Sequence, residues 1–273
     1  MLHHRDAFLN LIGTRPLLMG ILNLTPDSFS DGGKFNGRDA AMAQAWKLVA
    51  DGADIVDVGA ESTRPGAIPV SEAEELRRIE PVLGALAEAI EAPISIDTYK
   101  ANVARRAVAL GACVINDVWG LQKDPAMAAT VAETGAAVVI MHNRPAVDAT
   151  IDIVADMRRF FDHSLLLAQR AGIPKARMML DPGIGFGKSQ VQNLQALQGL
   201  PAFADYGLPM LIGVSRKSLL GVVLNAAIDQ RLIGTIATNL AARARGGEIF
   251  RVHDVAEHVA AFKTYEAVIH ARL

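Results

Sequence analysis

The chain has 273 residues, and its 27 Lys and Arg against 29 Asp and Glu leave no electrostatic footprint for nucleic acid or an anionic membrane. Its one cysteine, Cys113, cannot close an internal disulfide, and no apolar stretch approaches the ~20 residues of a membrane helix. The opening Met-Leu-His-His-Arg-Asp has no apolar leader segment, so a cytoplasmic chain is expected, long enough to bury a core without disulfides or a structural metal.

Eight short apolar runs divide the chain, most of them separated by an amphipathic segment. The first strand is expected at residues 17–23, followed by a helix over 39–51 that stops at Gly52. A second strand spans 55–59, and the next helix opens at Ser71 with Glu74 at capping-box spacing. The third strand, 94–97, precedes a helix over 100–110 ended by Gly111. The fourth, 113–116, leads to a helix with Asp124 as N-cap, Pro125 at its first position and an end near Gly135. The fifth strand, 136–142, is followed by the longest helix, 151–171. The sixth, 178–181, precedes a helix over 189–200, and the seventh, 210–215, a helix over 229–245. The eighth strand, 249–253, runs into Asp254, expected to cap the last helix.

Strand–helix repetition predicts a parallel sheet, and eight repeats in this length predict one (β/α)8 TIM barrel domain over 1–273. The strands read as continuous Val, Ile, Leu and Met runs, as strands buried on both faces do. Residues before 17 are expected to plug or flank the barrel bottom. Cys113, inside an apolar run, is expected in the core.

A barrel of this type carries its active site on the loops at the C-terminal strand ends. Asn23, Asp97, Asn116, His142, Asp181, Lys217, Arg251 and His253 all fall there. The first loop, Asn23-Leu-Thr-Pro-Asp-Ser-Phe-Ser-Asp-Gly-Gly, is longer than a connection needs and reads as a lid. The second, Glu61-Ser-Thr-Arg-Pro-Gly-Ala, offers hydroxyl and guanidinium donors to an anion. Asp97, Asn116-Asp117 and Asp181 can ligate a hard metal through oxygen, or accept hydrogen bonds from the edge of a flat, nitrogen-rich ring. No His or Cys spacing supports zinc. The loops after strands seven and eight frequently bind phosphate, and here they carry Arg216, Lys217, Arg251 and His253. Arg251 and His253 alternate along one strand and so share a face, whereas Arg216 has a surface carboxylate as an alternative partner. Lys217 also fits a Schiff-base lysine of an aldolase barrel, without other signs of carbonyl chemistry. His3, His4, His258 and His270 read as solvent-facing.

Taken together, these segments resemble the dihydropteroate synthase family. The matches are Gly20-Ile-Leu-Asn-Leu-Thr-Pro-Asp-Ser-Phe-Ser-Asp-Gly-Gly33, Asp57-Val-Gly-Ala-Glu-Ser-Thr-Arg-Pro-Gly66, Ile96-Asp-Thr98, Ile115-Asn-Asp117, Leu180-Asp-Pro-Gly-Ile-Gly-Phe-Gly187, Gly213-Val-Ser-Arg-Lys-Ser218 and Arg251-Val-His-Asp254. One departure is visible: after Met141-His142 the family usually continues Met-Gln-Gly-Thr-Pro, whereas this chain has Asn143-Arg-Pro. The resemblance implies condensation of 6-hydroxymethyl-7,8-dihydropterin diphosphate with p-aminobenzoate, with Mg2+ as cofactor and a homodimer as assembly. It further implies that Asp97, Asn116, Asp181 and Lys217 hold the pterin with Met141 lining its pocket. Asn23 would ligate Mg2+ and the diphosphate, which Thr63, Arg251 and His253 also bind. Phe29, Arg64, Pro65, Phe186, Lys217 and Ser218 would shape the p-aminobenzoate site. Asp97, Lys217, Arg251 and His253 are the residues expected to carry the chemistry. Polar, Gly/Pro-hinged segments 25–36 and 62–68 are expected to order on the diphosphate, so that pterin diphosphate binds before p-aminobenzoate. Two other readings share the pterin carboxylates: a catalytically silent pterin-binding paralogue, and a barrel transferring methyl from methyltetrahydrofolate to a corrinoid protein. The methyltransferase has no use for the diphosphate set Thr63, Arg251 and His253, and against the paralogue every mapped catalytic position is intact.

Overall fold

The computed structural model describes residues 2–24, 34–61 and 68–271. Eight parallel strands close into a barrel in sequence order, β1 beside β8. They are β1 (Leu17–Asn23), β2 (Ile55–Gly59), β3 (Ile94–Asp97), β4 (Val114–Asp117), β5 (Ala137–Met141), β6 (Met178–Asp181), β7 (Met210–Ile212) and β8 (Gly247–Val252). The surrounding helices are α1 (Leu2–Leu11), α2 (Lys34–Ala50), α3 (Glu72–Ala89), α4 (Ala101–Ala109), α5 (Met127–Thr134), α6 (Ile153–Ala171), α7 (Gln190–Gln198), α8 (Ser218–Leu224), α9 (Leu232–Arg243) and α10 (Val255–His270).

Side chains alternate along a strand, so a strand buried on both faces serves two cores. Outward residues such as Val56, Ile96, Ile115, Val138, Leu180, Ile212 and Phe250 pack beneath the helices. Inward residues Leu17, Met19, Ile55, Val114, Ala137, Val139, Met179, Leu211 and Ile249 form a separate apolar plug inside the barrel. Phe8 of α1 packs into that plug and is 1% exposed, so the segment before β1 does close the barrel bottom. Cys113 belongs to the same plug, and burial pushes its thiol up to about 11.

The helices begin where local chemistry allows. Ser189 and Gln192 make the reciprocal capping box of α7, and Asp152 accepts from Val154 and Ala155 N–H at the start of α6. Ser71 accepts from Glu74 N–H at α3, but the Glu74 carboxylate turns to Arg77 and Arg78 instead of closing the box. Asp124 does not cap α5; its carboxylate accepts from Ala126 N–H and from Ala101 N–H at the start of the neighbouring α4. Asp254 stands at the N-cap of α10 without capping it, because its carboxylate takes the Arg216 guanidinium at 3.0 Å. α1 and α8 lie outside the helices expected from periodicity, since both are short and α8 follows a chemistry-bearing loop.

Candidate active site

The alternation that builds the plug also builds the site above it. Continuing each inward series by two residues gives Asn23 after Met19 and Ile21, Asp57 and Gly59 after Ile55, and Asp97 after Ser95. It gives Asn116 after Val114, Met141 after Val139, Asp181 after Met179, Gly213 after Leu211, and Arg251 and His253 after Ile249. Register places Asn23 beside Gly59, Gly59 beside Asp97, and Asp97 beside Asn116. A Cβ at Gly59 would stand 3.6 Å from Asp97 Oδ2 and 3.9 Å from Asn23 Oδ1, so this glycine leaves the space between those two side chains open.

Arg251 organises one half of the mouth. Its Nε donates to Asp57 Oδ2 at 2.6 Å and its terminal nitrogen to Asp97 Oδ2 at 2.9 Å. Asn116 Nδ2 also donates to Asp57 Oδ2, at 3.2 Å. Asp57 is fully buried and Asp97 is 9% exposed. Each nevertheless keeps its other oxygen, Oδ1, buried without a hydrogen-bond partner. A buried carboxylate oxygen left so is costly, and both are acceptors suited to the N–H groups of a ligand. Burial pushes the Asp97 carboxyl above the usual carboxylate range, while Arg251 pulls it down.

The other half is built on the loop after β6. Asp181 Oδ1 accepts from Gly183 N–H at 2.6 Å, and burial raises its carboxyl, opposed chiefly by Lys217. Lys217 Nζ donates to Ile184 O and stands 4.7 Å from the centre of the Phe186 ring, a cation–π contact. Desolvation brings the Lys217 ammonium down to about 8. Lys217 lies just before α8, and the next residue, Ser218, is the exposed first residue of that helix. Ser215 Oγ lies 2.9 Å from His253 Nδ1 and accepts from His253 N–H at 3.2 Å, tying the loop after β7 to the loop after β8. Met141 is buried and pairs in register with Asp181.

The mouth thus gathers three carboxylates, two amides, a guanidinium, an ammonium and an imidazole. Residues 19–253 match the family described as pterin binding enzyme. A relative named dihydropteroate synthase, from Clostridium beijerinckii, is 44% identical over 259 residues, 94% of this chain and 96% of its own length. The chain belongs to the dihydropteroate synthase family. Among solved structures, the family member from Clostridium difficile, in the presence of pteroic acid, superposes with a TM-score of 0.92 at 47% identity over 94% of this chain and 98% of that one. The dihydropteroate synthase of Xanthomonas albilineans with 4-aminobenzoic acid gives 0.90 at 44% identity, covering 93% of each chain.

Within this dihydropteroate synthase family member, several residues take places that sequence reasoning did not give them. Asp117 ends β4, but its two oxygens accept from Trp119 and Leu121 N–H, so it shapes the following turn; burial raises it to about 6. His142 follows β5 but its ring lies behind the mouth, between Lys188 and Asp156. His258 is fully buried rather than solvent-facing: Asp254 O lies 2.6 Å from Nδ1 and Asn239 Nδ2 lies 3.0 Å from Nε2. Arg216 has the carboxylate alternative, Asp254. Phe29, Thr63, Arg64 and Pro65 lie outside the described residues, as do 25–33 and 62–67 of the two lid segments; residues 34–36, expected in the first of them, already belong to α2.

Asp57 is the site residue that sequence reasoning passed over. Its signal was available, because Asp57 is the lone charge in the run Ile55-Val-Asp-Val-Gly59 and has the inward parity of Ile55 and Gly59. A carboxylate there must find a cation, and Arg251 two strands away is that cation.

Proposed function

We propose that this chain condenses 6-hydroxymethyl-7,8-dihydropterin diphosphate with p-aminobenzoate, giving 7,8-dihydropteroate and diphosphate. The carrying observation is the convergence of Asp97, Asn116 and Asp181 on the barrel mouth beside the Arg251 guanidinium, which Asp57 holds from below. A pterin edge supplies N–H and NH2 donors, and a diphosphate supplies the anion that Arg251 complements. Asp97, Asn116 and Asp181 hold the pterin edge, Lys217 caps it, and Met141 lines the pocket wall.

In the reaction the bond from the pterin methylene carbon to the diphosphate oxygen breaks, and the electron pair leaves with diphosphate. Arg251 and His253, with Thr63, stabilise that developing charge. The methylene carbon becomes electron-poor, and the carboxylates of Asp97 and Asp181 offset charge spread into the ring. The neutral amine of p-aminobenzoate then forms the new C–N bond and gives up one proton to the departing diphosphate or to water, so no enzymic nucleophile is required. Phe186, Ser218, Phe29, Arg64 and Pro65 shape the site for that second substrate.

We assign Mg2+ to the diphosphate end. Asn23 is a half-buried amide at the end of β1, facing the Asp97 side of the mouth, and offers one hard oxygen. Mg2+ commonly takes few protein oxygens and completes its shell from substrate phosphates and water. When bound, Mg2+ supplies charge neutralisation to the leaving group.

The reading extends to a cytoplasmic homodimer working as one 1–273 unit without nucleic-acid or membrane partners. No helix among the described residues is long and apolar enough to cross a membrane. Val222, Val223 and Leu224 of α8 and Ile228 and Ile233 after it are exposed large apolar side chains, which a second copy would cover.

The deciding experiment is a coupled assay with purified protein, pterin diphosphate, p-aminobenzoate and Mg2+. Release of diphosphate only when p-aminobenzoate is present supports the reading. Pterin binding without release would favour the silent paralogue.

A pH dependence follows from Asp97. Its pKa is raised, so between the ordinary carboxylate value and its own it holds more proton in the fold than in the unfolded chain. Stability should therefore fall as pH rises through that window. Pterin affinity should move the opposite way, rising as the acceptor ionises. In Asp97→Asn the affinity trend should vanish and the stability slope become shallower, read by titration calorimetry and thermal melts across pH 4 to 9. An unchanged affinity profile in Asp97→Asn would remove Asp97 from the pterin contact.

A further inference from the structure

The turn after β6 is held from two sides by lysines, and only one of them faces the mouth. Lys217 takes the Ile184 carbonyl. Lys188, 5% exposed, lies on the far side of the turn. Its Nζ contacts Gly183 O at 2.8 Å, Phe186 O at 3.2 Å and His142 Nδ1 at 2.7 Å. An ammonium has three donors, and these three acceptors use them all. The donation to Nδ1 requires a lone pair there, which puts the imidazole proton on Nε2, facing Asp156 Oδ2 at 3.2 Å. Asp156 is fixed in turn by Arg144 and Arg159. The remaining surroundings of the ring are apolar, with Phe160 at 5.0 Å and Phe161 at 6.3 Å.

The backbone shows how tightly this assembly is packed. Gly183 has φ +63°, and a Cβ there would lie 1.8 Å from His142 O; Gly187 has φ +58°, and its Cβ would lie 2.4 Å from Arg144 O. The turn is therefore pressed onto the 142–144 segment, the place where this chain departs from the usual family sequence. Burial lowers the Lys188 ammonium to about 7, opposed chiefly by the Asp181 carboxylate, so holding a charge here has a cost.

We propose that Lys188, with His142 and Asp156 behind it, is a positioning residue for the p-aminobenzoate side of the site: it fixes the 183–187 turn so that Phe186 and the Ile184 carbonyl hold Lys217 in place. This rests on the function proposed above. Lys188 itself touches no reacting atom. Loosening the turn should therefore harm recognition of the second substrate more than that of the first, which keeps Asp97 and Asn116 on β3 and β4 and the Asp181 carboxylate on β6.

The test compares Lys188→Met, which keeps length and removes the donors, with His142→Phe, which keeps a ring and removes the acceptor. Lys188→Met should raise KM for p-aminobenzoate about 10-fold while KM for pterin diphosphate stays within about threefold. Hydrogen exchange of the 183–187 amides should quicken about 10-fold in both variants, and the effects of the double variant should fall short of additivity. Unaltered exchange in the folded variants, or equal losses for both substrates, would overturn the proposal. If one variant fails to fold, the other decides by the same exchange measurement. A wild-type chain that releases no diphosphate would refute the function while leaving the exchange experiment to judge the strut.

Discussion

Replacing Arg251 with alanine is expected to abolish diphosphate release and to destabilise the fold at the same time. Asp57, fully buried, and Asp97, 9% exposed, both give an oxygen to this one guanidinium. Its removal leaves two carboxylates a few ångströms apart in a poorly solvated interior. Breaking a buried ion pair from one side costs about 3–5 kcal/mol. For a chain of this size each kcal/mol lowers Tm by roughly 2–4 °C, so a fall of about 6–20 °C is expected by calorimetry. The two losses can be separated. Arg251→Met combined with Asp57→Asn removes the guanidinium and one of its two carboxylates, leaves Asp97 with its already raised pKa to take up a proton, and should recover part of the stability, yet no turnover. A pterin lacking the diphosphate should still bind the double variant measurably. Recovery of turnover along with stability would make Arg251 a scaffold residue and not an anion clamp.

Asp97→Asn and Asp181→Asn should each weaken pterin binding by about 10- to 150-fold, the worth of one charged hydrogen bond at ~1.5–3 kcal/mol. The reason differs between them. At Asp97 the amide keeps an acceptor for Arg251 but replaces the other oxygen with a donor, which then opposes the N–H groups of the ligand. At Asp181 the amide oxygen can still take Gly183 N–H, so the turn survives and the loss falls on the ligand. Stability should change little at Asp181 and should rise or hold at Asp97, where a carboxyl with a raised pKa is neutralised. Pterin titrations of the two folded variants indistinguishable from wild type would remove both from the pocket.

The barrel and most of its mouth were legible in the sequence for one physical reason. A strand buried on both faces tolerates polar atoms only where they are used, so Asn23, Asp97, Asn116, Asp181 and Arg251 stood out at the ends of apolar runs. Asp57 did not stand out, because it lies mid-strand and its partner is far along the chain. His142 and Lys188 were illegible for a related reason. Their contact joins residues 46 positions apart, and nothing in either segment alone specifies it. Helix starts were read less well than strands. Ser189 and Asp152 cap as their types suggest, whereas Asp124 and Asp254 were claimed by a neighbouring helix and by Arg216.

The apolar plug capped by Phe8 makes the site a dead-end well. Nothing enters or leaves from below, so every ligand shares one opening. The carboxylate layer of Asp57 and Asp97 lies directly above the plug, and Phe186 with Lys217 sits on the loops at the rim. A molecule lodged at the rim first is a stopper, shutting out the one that must go deeper. The fused product must likewise back out through the passage by which its parts arrived. A sealed floor thus predicts that the deeper ligand must arrive before the one at the rim, even for rigid loops, and pterin capture that is no slower with p-aminobenzoate already bound would count against it.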